Sequence, residues 1–309
     1  MVEVKGLRVD YDSFCAVHDL EFHVEPGVVY GLIGPNGSGK TTTMRAILGL
    51  LEPTYGEIYI NGIDMQENPD EAAKYIGFMP DFPPMYEDLL VWEFLDLFAA
   101  SYYVPKSQRY EVIDHYLDLV GLTEKRNSFI PGLSRGMRQR LMLAKTLIPD
   151  PNVVILDEPA SGMDPHGRAD LKRIMIELGQ RGKAVIISSH ILTEMNEFCS
   201  AIGIMERGHM IVSGSIDDIR QKMGNQEHCE IRVLGKEDDL QHFLKEHPQV
   251  HSCKPMGNNK YRFHFRGDEM ATSQLLAAIV KRGIPVVSFI QQQENLEDLF
   301  LKIGARQLS

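Results

Sequence analysis

The sequence predicts an α/β protein with a parallel sheet core, followed by a small α+β domain. Two short apolar runs, at residues 153–156 and 184–187, are typical of buried strands, and they alternate with segments whose apolar residues have helical spacing. From about residue 223 the predicted order changes to strand, helix, two strands, helix, strand. Alternating strands and helices indicate a parallel sheet, whereas the later order indicates a separate α+β unit.

The charge distribution supports a boundary between these two parts near residue 220. Residues 1–220 contain 20 Lys and Arg against 32 Asp and Glu, whereas residues 221–309 contain 12 against 11. We therefore expect domains at 1–220 and 221–309. The net charge of −11 argues against general nucleic-acid binding, which needs clustered cations.

Cysteine usage and hydropathy indicate where the protein works. The four cysteines contain no C-x-x-C pair, so we expect neither a metal site nor a disulfide framework, and a reducing setting fits best. No apolar run approaches the roughly 18 residues that cross a bilayer, and the first residues do not have the pattern of a signal peptide. Any membrane contact is therefore expected to go through a partner.

A glycine-rich loop joins the first predicted strand of the core to a helix. The strand covers residues 28–33 and the helix 41–51, with Met44, Ile47, Leu48 and Leu51 on one face. Between them, residues 34–41 match G-x-x-x-x-G-K-[ST] at every position. Glycines allow successive N–H groups to point at one anion, and the helix N-terminus adds its dipole. This phosphate loop predicts binding of ATP with Mg²⁺, with Lys40 on the phosphates and the Thr41 hydroxyl on the metal.

A second group of polar residues follows the predicted strand at 153–156. Asp157 and Glu158 come directly after it, and Pro159 ends the run. In a protein with a phosphate loop, such an aspartate holds the Mg²⁺ shell, and the adjacent glutamate can act as a general base on water. Helices are predicted at 93–101, 109–120 and 133–147, and we interpret residues 82–148 as a helical insertion into the core.

Several further motifs occur in the order found in the ABC ATPase family, which residues 1–220 resemble. Residues 133–137 (Leu-Ser-Arg-Gly-Met) stand where that family has its signature, usually Leu-Ser-Gly-Gly-Gln. Residues 161–164 correspond to its D-loop, and residues 188–190 end the next strand with the switch histidine, His190. Tyr11 lies where the family has an aromatic residue that stacks on adenine.

The resemblance implies a P-loop NTPase core of ABC ATPase type with an antiparallel β part. It implies a head-to-tail dimer in which each ATP lies between the phosphate loop of one copy and the signature of the other. Glu158 and His190 are then the expected catalytic residues. The expected ATP contacts are Tyr11, Gly34, Pro35, Asn36, Gly37, Ser38, Gly39, Lys40, Thr41, Thr42 and Asp157, with Ser134, Gly136 and Asp164 contributed in trans.

This sequence departs from the family pattern at two places. The signature has Arg135 and Met137 in place of the usual Gly and Gln, although Ser134 and Gly136 are kept. Asp81 occupies the position of the Q-loop glutamine, which approaches the metal in the family. Because a carboxylate also ligates Mg²⁺, we expect Thr41, Asp157 and Asp81 as metal ligands and retained ATP hydrolysis.

The C-terminal part is expected to be a ferredoxin-like domain. Strands are predicted at 229–234, 251–255, 261–265 and 286–290, helices at 238–246 and 269–281, and a final helix at 296–303. Two roles stay open for this domain, namely a sensor that binds a small metabolite and a packing or dimerisation module.

The predicted function is that of a transporter motor with a separate transmembrane permease. The tail at 295–301 resembles the C-terminal extension of ATPases of bacterial ABC-2 type exporters, which favours export and a peripheral location on the cytoplasmic face of the membrane. The alternative is an ABC ATPase without a transporter, of the translation or DNA-repair type. Such proteins usually carry two cassettes or a long coiled coil, and neither is present.

Overall fold

The computed structural model describes residues 1–81, 85–191, 195, 198–222 and 227–293. The chain forms two compact units, Met1–Ile216 and Asp217–Ser309. The first contains a mostly parallel sheet and an antiparallel sheet, and the second contains one antiparallel sheet. The predicted fold class, a parallel α/β core with an added antiparallel part and an α+β C-terminal unit, is confirmed.

The first unit is built from ten labelled strands in the part of the chain that is described. They are β1 (Val2–Tyr11), β2 (Phe14–Val24), β3 (Val29–Ile33), β4 (Tyr55–Ile60), β5 (Ile63–Asp64), β6 (Ile76–Met79), β7 (Val153–Leu156), β8 (Ala184–Ser189), β9 (Ala201–Glu206) and β10 (His209–Ser215). Its helices are α1 (Lys40–Ile47), α2 (Pro69–Ala73), α3 (Val91–Ser101), α4 (Arg109–Leu119), α5 (Arg135–Leu147) and α6 (Pro165–Gln180). Helix α7 (Ile216–Lys222) begins at the boundary between the units.

The central sheet has the strand order β10-β9-β3-β8-β7-β6. All neighbouring pairs from β9 to β6 are parallel, and only β10 joins antiparallel. Every residue of β3, β7 and β8 is buried, as expected for a parallel sheet that is covered on both faces. The carboxyl ends of these three strands therefore meet at one edge, which is where the phosphate loop and Asp157 follow.

A second sheet, of order β2-β1-β4-β5, is antiparallel throughout. Its strands alternate buried and exposed positions, and their buried residues join one hydrophobic cluster with those of β3, β7, β8 and α1. Between β6 and β7 the chain forms α3, α4 and α5, which pack on one another. Helices α3 and α4 therefore lie where the sequence predicted an insertion.

Several helix boundaries differ from the prediction by one to four residues, and two of them have a clear local cause. Helix α1 ends at Ile47 rather than at residue 51, because Leu50 N–H donates to the Arg45 carbonyl, 2.9 Å away, in a closing turn. Leu51 therefore does not belong to the helix. Helix α5 begins at Arg135 rather than at residue 133, because Ser134 is extended and caps it. The predicted helix at 296–303 lies outside the described residues.

The second unit consists of four strands and two helices among its described residues beyond α7. They are β11 (Glu227–Val233), α8 (Glu237–Glu246), β12 (Val250–Gly257), β13 (Lys260–Phe265), α9 (Glu269–Lys281) and β14 (Val286–Gln293). The sheet order β12-β13-β11-β14 with all pairs antiparallel is that of the predicted ferredoxin-like fold. Asn258 and Asn259 both have positive φ and form the two-residue turn between β12 and β13.

One carboxylate of this sheet is buried and paired with two cationic side chains. Glu230, on β11, is 5% exposed. It forms ion pairs with Lys260 and with Arg262, whose Nη2 lies 2.9 Å from Oε1. The hydrogen bond from Lys260 is the largest influence on the Glu230 carboxyl and lowers its pKa; burial opposes this shift, and the hydrogen bond from Arg262 adds to it.

No helix among the described residues is both long enough and apolar enough to cross a bilayer.

Glu230 gives the second unit a stability that depends on pH. Its depressed pKa means that the ionised form stabilises the fold above the ordinary glutamate value of 4.5, and that this contribution is lost as the pH falls further. We expect Glu230→Gln to reduce the free energy of unfolding by about 1–2 kcal/mol at pH 7 and by much less at pH 3.5. Hydrogen exchange of the β11 and β13 amides in the full chain measures this. Glu246→Gln, at an exposed position, is the control, and a difference independent of pH would contradict the assignment.

Candidate functional site

The phosphate loop connects the carboxyl end of β3 to the first residue of α1. Gly37 and Gly39 have φ of +80° and +103°, in the left-handed region that glycine adopts readily. At Gly39 an added Cβ would also lie 2.8 Å from the carbonyl oxygen of Ala16. These backbone angles curl the loop so that its N–H groups and the α1 N-terminus can surround an anion.

Lys40, the first residue of α1, is buried beside this loop. Its Nζ donates to the carbonyl oxygens of Gly34, at 2.7 Å, and Pro35, at 3.2 Å. Burial lowers the pKa of the Lys40 ammonium, and the charges of Glu158 and Asp157 partly oppose that shift. The amine is thus held by neutral carbonyl groups, which leaves its charge available for a phosphate.

Asp157 and Glu158 follow β7 and are held by a side chain from the end of β8. Ser188 Oγ donates to Asp157 Oδ1 at 2.6 Å and accepts the Glu158 N–H at 2.8 Å. The other oxygen of Asp157, Oδ2, accepts from the Thr41 hydroxyl at 3.3 Å. One serine therefore fixes both acidic residues, and Asp157 reaches the phosphate loop.

Glu158 pairs with the histidine that the sequence singled out. His190 Nδ1 lies 2.9 Å from Glu158 Oε2. The Glu158 backbone has a φ of +49°, which is unusual for a residue with a side chain. The structure therefore brings both predicted catalytic side chains together at the edge of the parallel sheet.

The phosphate loop, Asp157 and Glu158 border a cavity of about 320 Å³ in the first unit. Its lining consists of Tyr11, Phe14, Ala16, Asn36, Gly37, Gly39, Lys40, Thr41, Thr42, Asp81, Asp157 and Glu158. Most of the predicted ATP contacts in cis are thus brought together. Gly34, Pro35 and Ser38 belong to the loop but do not line the cavity. The Ser38 hydroxyl oxygen is buried without a hydrogen-bond partner among the described residues.

Phe14 and Ser188 belong to this site, although the sequence did not predict a role for either. Phe14 stands directly opposite Tyr11 where β1 turns into β2, and the two rings are 63% and 42% exposed. Both line the cavity, so the site has two aromatic rings at its entrance instead of one. A two-residue turn between alternating strands is the signal that indicates Phe14, whereas no local pattern indicates the contacts of Ser188, which lies in the segment 188–190.

Asp81 also lines the cavity, as expected for a residue that approaches the metal. Its Oδ1 is buried and has no hydrogen-bond partner among the described residues. Burial raises the pKa of the Asp81 carboxyl, and the negative charges of Asp157 and Glu158 add to this increase. A bound cation would relieve both effects.

The donor set fits a cation that is shared with phosphate. No group of three His, Cys, Asp or Glu side chains in the described ranges could hold a metal ion without help. Mg²⁺ typically takes one or two carboxylates together with waters and substrate phosphates. Thr41 and Asp157, with Asp81 nearby, supply such an incomplete set, so these residues fit Mg²⁺ only in company with a nucleotide.

The residues expected to act in trans do not line the cavity. Ser134 caps α5, with its Oγ accepting the Met137 N–H at 3.3 Å, and Gly136 lies in the first turn of that helix. Asp164 caps α6, with Oδ1 accepting the Gly167 N–H at 2.9 Å. The caps explain these residue types structurally, and both helix N-termini can also attract an anion from outside the chain.

The phosphate loop is anchored to a turn on the opposite side from the acidic residues. Gly208, between β9 and β10, donates its N–H to the Ser38 carbonyl at 3.0 Å, and its carbonyl accepts the His18 N–H at 2.8 Å. This turn therefore joins the loop to β2 of the antiparallel sheet.

Comparison with protein families gives two matches. A family model described as ABC transporter matches residues 17–161. A second, described as the C-terminal domain of ATP-binding proteins like DrrA1-3, matches residues 214–303. The two matches fall on the two units of the structure.

Relatives of similar length carry transport names. The ABC transporter ATP-binding protein YxlF of Bacillus subtilis (strain 168) is 33% identical, with 98% of this chain and 99% of that protein covered. The bacitracin transport ATP-binding protein BcrA of Bacillus licheniformis is 30% identical, with 98% and 97% covered. The Nod factor export ATP-binding protein I of Cupriavidus metallidurans is 29% identical, with 100% and 98% covered.

Solved structures resemble the first unit. The ATP-binding subunit of an ABC transporter has a TM-score of 0.66 at 32% identity and covers 72% of this chain and 93% of its own. The dimeric cassette MJ0796, at 23% identity and a TM-score of 0.64, covers 70% and 99% and shares the fold.

The position of Asp81 predicts a role in holding the metal. We expect Asp81→Asn to raise the Mn²⁺ concentration needed to keep nucleotide bound by about 10-fold, because the amide removes a negative charge from the cation's surroundings. Binding of a fluorescent ATP analogue, titrated with Mn²⁺, measures this without turnover. Asp88→Asn, at an exposed position nearby, is the control, and equal Mn²⁺ requirements for both variants would argue against the role.

Proposed function

This chain belongs to the ABC transporter ATP-binding proteins, and we propose that it is the ATP-hydrolysing motor of a bacterial membrane exporter. In this proposal, it works as a dimer with a separate transmembrane permease. The observation that carries the catalytic part is the contact between Glu158 and His190, beside a phosphate loop and Asp157.

ATP is proposed to enter the cavity with its adenine between the strand ends and its phosphates in the loop. Tyr11 and Phe14 offer exposed rings on which a base can stack. The loop N–H groups and the α1 N-terminus face the phosphates, and Lys40 can exchange its two carbonyl partners for phosphate oxygens. The buried, cationic Lys40 thereby gains an opposite charge.

Mg²⁺ would be held by the Thr41 hydroxyl and Asp157, with Asp81 beside them. When bound, the ion neutralises charge that develops on the phosphate oxygens. The protein's contribution is to hold the ligands in place. Ser188 fixes one oxygen of Asp157 by its hydrogen bond, which leaves the oxygen beside Thr41 directed to the metal.

Hydrolysis is proposed to use Glu158 as the base that accepts a proton from the attacking water. His190 contacts the Glu158 carboxylate and can orient it, and in the proposed closed state the imidazole also contacts the terminal phosphate. The backbone of Glu158 is held by Ser188, so the carboxylate is aimed before ATP arrives. Because the carboxylate is already oriented, less reorganisation is needed before water attacks the terminal phosphate.

The site is proposed to be completed by a second copy of the chain. Ser134 caps α5, Gly136 lies in the first turn of that helix, and Asp164 caps α6. None of these three residues lines the chain's own cavity. The Ser134 oxygen accepts the Met137 N–H, so the hydroxyl hydrogen remains available for a partner's γ-phosphate. ATP then stabilises the dimer, and hydrolysis releases it.

Export is proposed from the named relatives. BcrA is named for bacitracin transport, and the Nod factor protein for export. This chain aligns with both over nearly its whole length, including the C-terminal unit. The permease would carry the cargo across the bilayer, and this subunit would sit on its cytoplasmic face.

An amide in place of the Glu158 carboxylate should separate ATP binding from hydrolysis. We expect Glu158→Gln to lower ATP turnover by about 100-fold or more, because the amide cannot accept the proton. ATP should still bind, so the variant should accumulate as an ATP-dependent dimer, measured by size exclusion with light scattering. Glu111→Gln, exposed on α4, should behave as wild type. Unchanged turnover of Glu158→Gln would refute the assignment.

The proposed permease should determine whether the chain associates with membranes. We expect the chain to sediment with membranes only when the proposed permease, a polytopic membrane protein, is co-expressed, because in this proposal the permease holds the subunit at the membrane. Glu158→Gln should fractionate in the same way, since docking does not need hydrolysis. Membrane association without the partner, or none with it, would contradict a transport complex.

A further inference from the structure

Arg135 links the start of α5 to the loop that follows Glu158. It is the first residue of α5, and its positive charge partly opposes the larger effect of burial, which raises the pKa of the Asp81 carboxyl. Its guanidinium also contacts the loop at residues 161–164. Nη2 of Arg135 donates to Ser161 Oγ at 3.1 Å.

The loop is shaped to accept this guanidinium. Gly162 has a φ of +69°, and an added Cβ would lie 2.6 Å from Arg135 Cζ. A side chain at residue 162 would therefore displace the guanidinium as well as strain the backbone. The arginine in the signature and the glycine in the loop fit each other within one chain.

Hydrogen bonds continue from this contact to the catalytic glutamate. Ser161 N–H donates to the Glu158 carbonyl at 3.0 Å. Glu158 is held at its own N–H by Ser188 and at its carboxylate by His190. Arg135 and Ser161 therefore form a continuous path of hydrogen bonds from α5 to the backbone of Glu158.

We infer that Arg135 is a positioning residue that couples the signature of each chain to Glu158 of the same chain. The inference rests on the proposed function, in which Ser134 and Gly136 contact ATP on the partner's phosphate loop. ATP at the partner's site would fix α5, and Arg135 would then fix the loop behind Glu158. Each site therefore reaches its hydrolytic geometry only when the other is occupied.

Removing the Ser161 hydroxyl tests this coupling without changing any charge. We expect Ser161→Ala to lower kcat by about 3- to 10-fold and to reduce the Hill coefficient for ATP toward 1, because one hydrogen bond to a charged donor is lost. Ser161→Thr, which keeps the hydroxyl, should restore both values. Ser101→Ala is the control. It removes a comparable hydroxyl on α3, where Ser101 Oγ donates to the Leu97 carbonyl, and it should leave both values unchanged.

A measurement of ATP-dependent dimerisation distinguishes failure of the coupling from failure of the proposed function. In the Glu158→Gln background, Ser161→Ala should leave the ATP concentration needed for dimer formation unchanged, because Ser134 and Gly136 are intact. Failure of Glu158→Gln to dimerise with ATP would refute the proposed function and, with it, the coupling.

Three other results would overturn the coupling alone. The first is a wild-type Hill coefficient of 1, and the second is a Ser161→Ala chain with the kinetics of Ser101→Ala. The third is weakened dimerisation in Arg135→Gln while Ser161→Ala behaves as wild type. That third result would mean that Arg135 acts directly on the partner's nucleotide.

Discussion

The site depends on the hydroxyl of Ser188, which joins the ends of two adjacent parallel strands. It donates to Asp157 and accepts from the Glu158 backbone, so one oxygen atom orients both acidic residues. Because β7 and β8 pair in parallel, Ser188 at the end of β8 lies beside Asp157 and Glu158, which follow β7. Without the Ser188 hydroxyl, Asp157 would keep its contact with Thr41 and Glu158 its contact with His190, but the two acidic residues would lose the partner that they share.

The remaining parts of the site come from elements with different structural reasons to be there. The phosphate loop follows the central strand β3, whereas Tyr11 and Phe14 are placed by the antiparallel sheet. Asp81 follows the edge strand β6. Charge is concentrated at the sheet edge, and the aromatic rings lie toward solvent. This division suits a ligand with an anionic end and a flat, apolar end.

The sequence predicted the features that local chemistry determines. The phosphate loop, the acids after β7 and the strand order of the C-terminal unit follow from glycine placement, hydrophobic runs and turn residues. Features that depend on contacts between distant segments could not be predicted in this way. Ser188 acts across two strands, Phe14 is relevant only because it faces Tyr11, and the contact of Arg135 with Ser161 spans 26 positions. The early end of α1 depends on a turn that periodicity does not reveal.

The turn at Gly208 is shared by two parts of the first unit. It holds the phosphate loop through the Ser38 carbonyl and holds β2 through the His18 N–H. The loop is therefore tied to both sheets of this unit, so a shift of either sheet would alter the pocket that receives the anion.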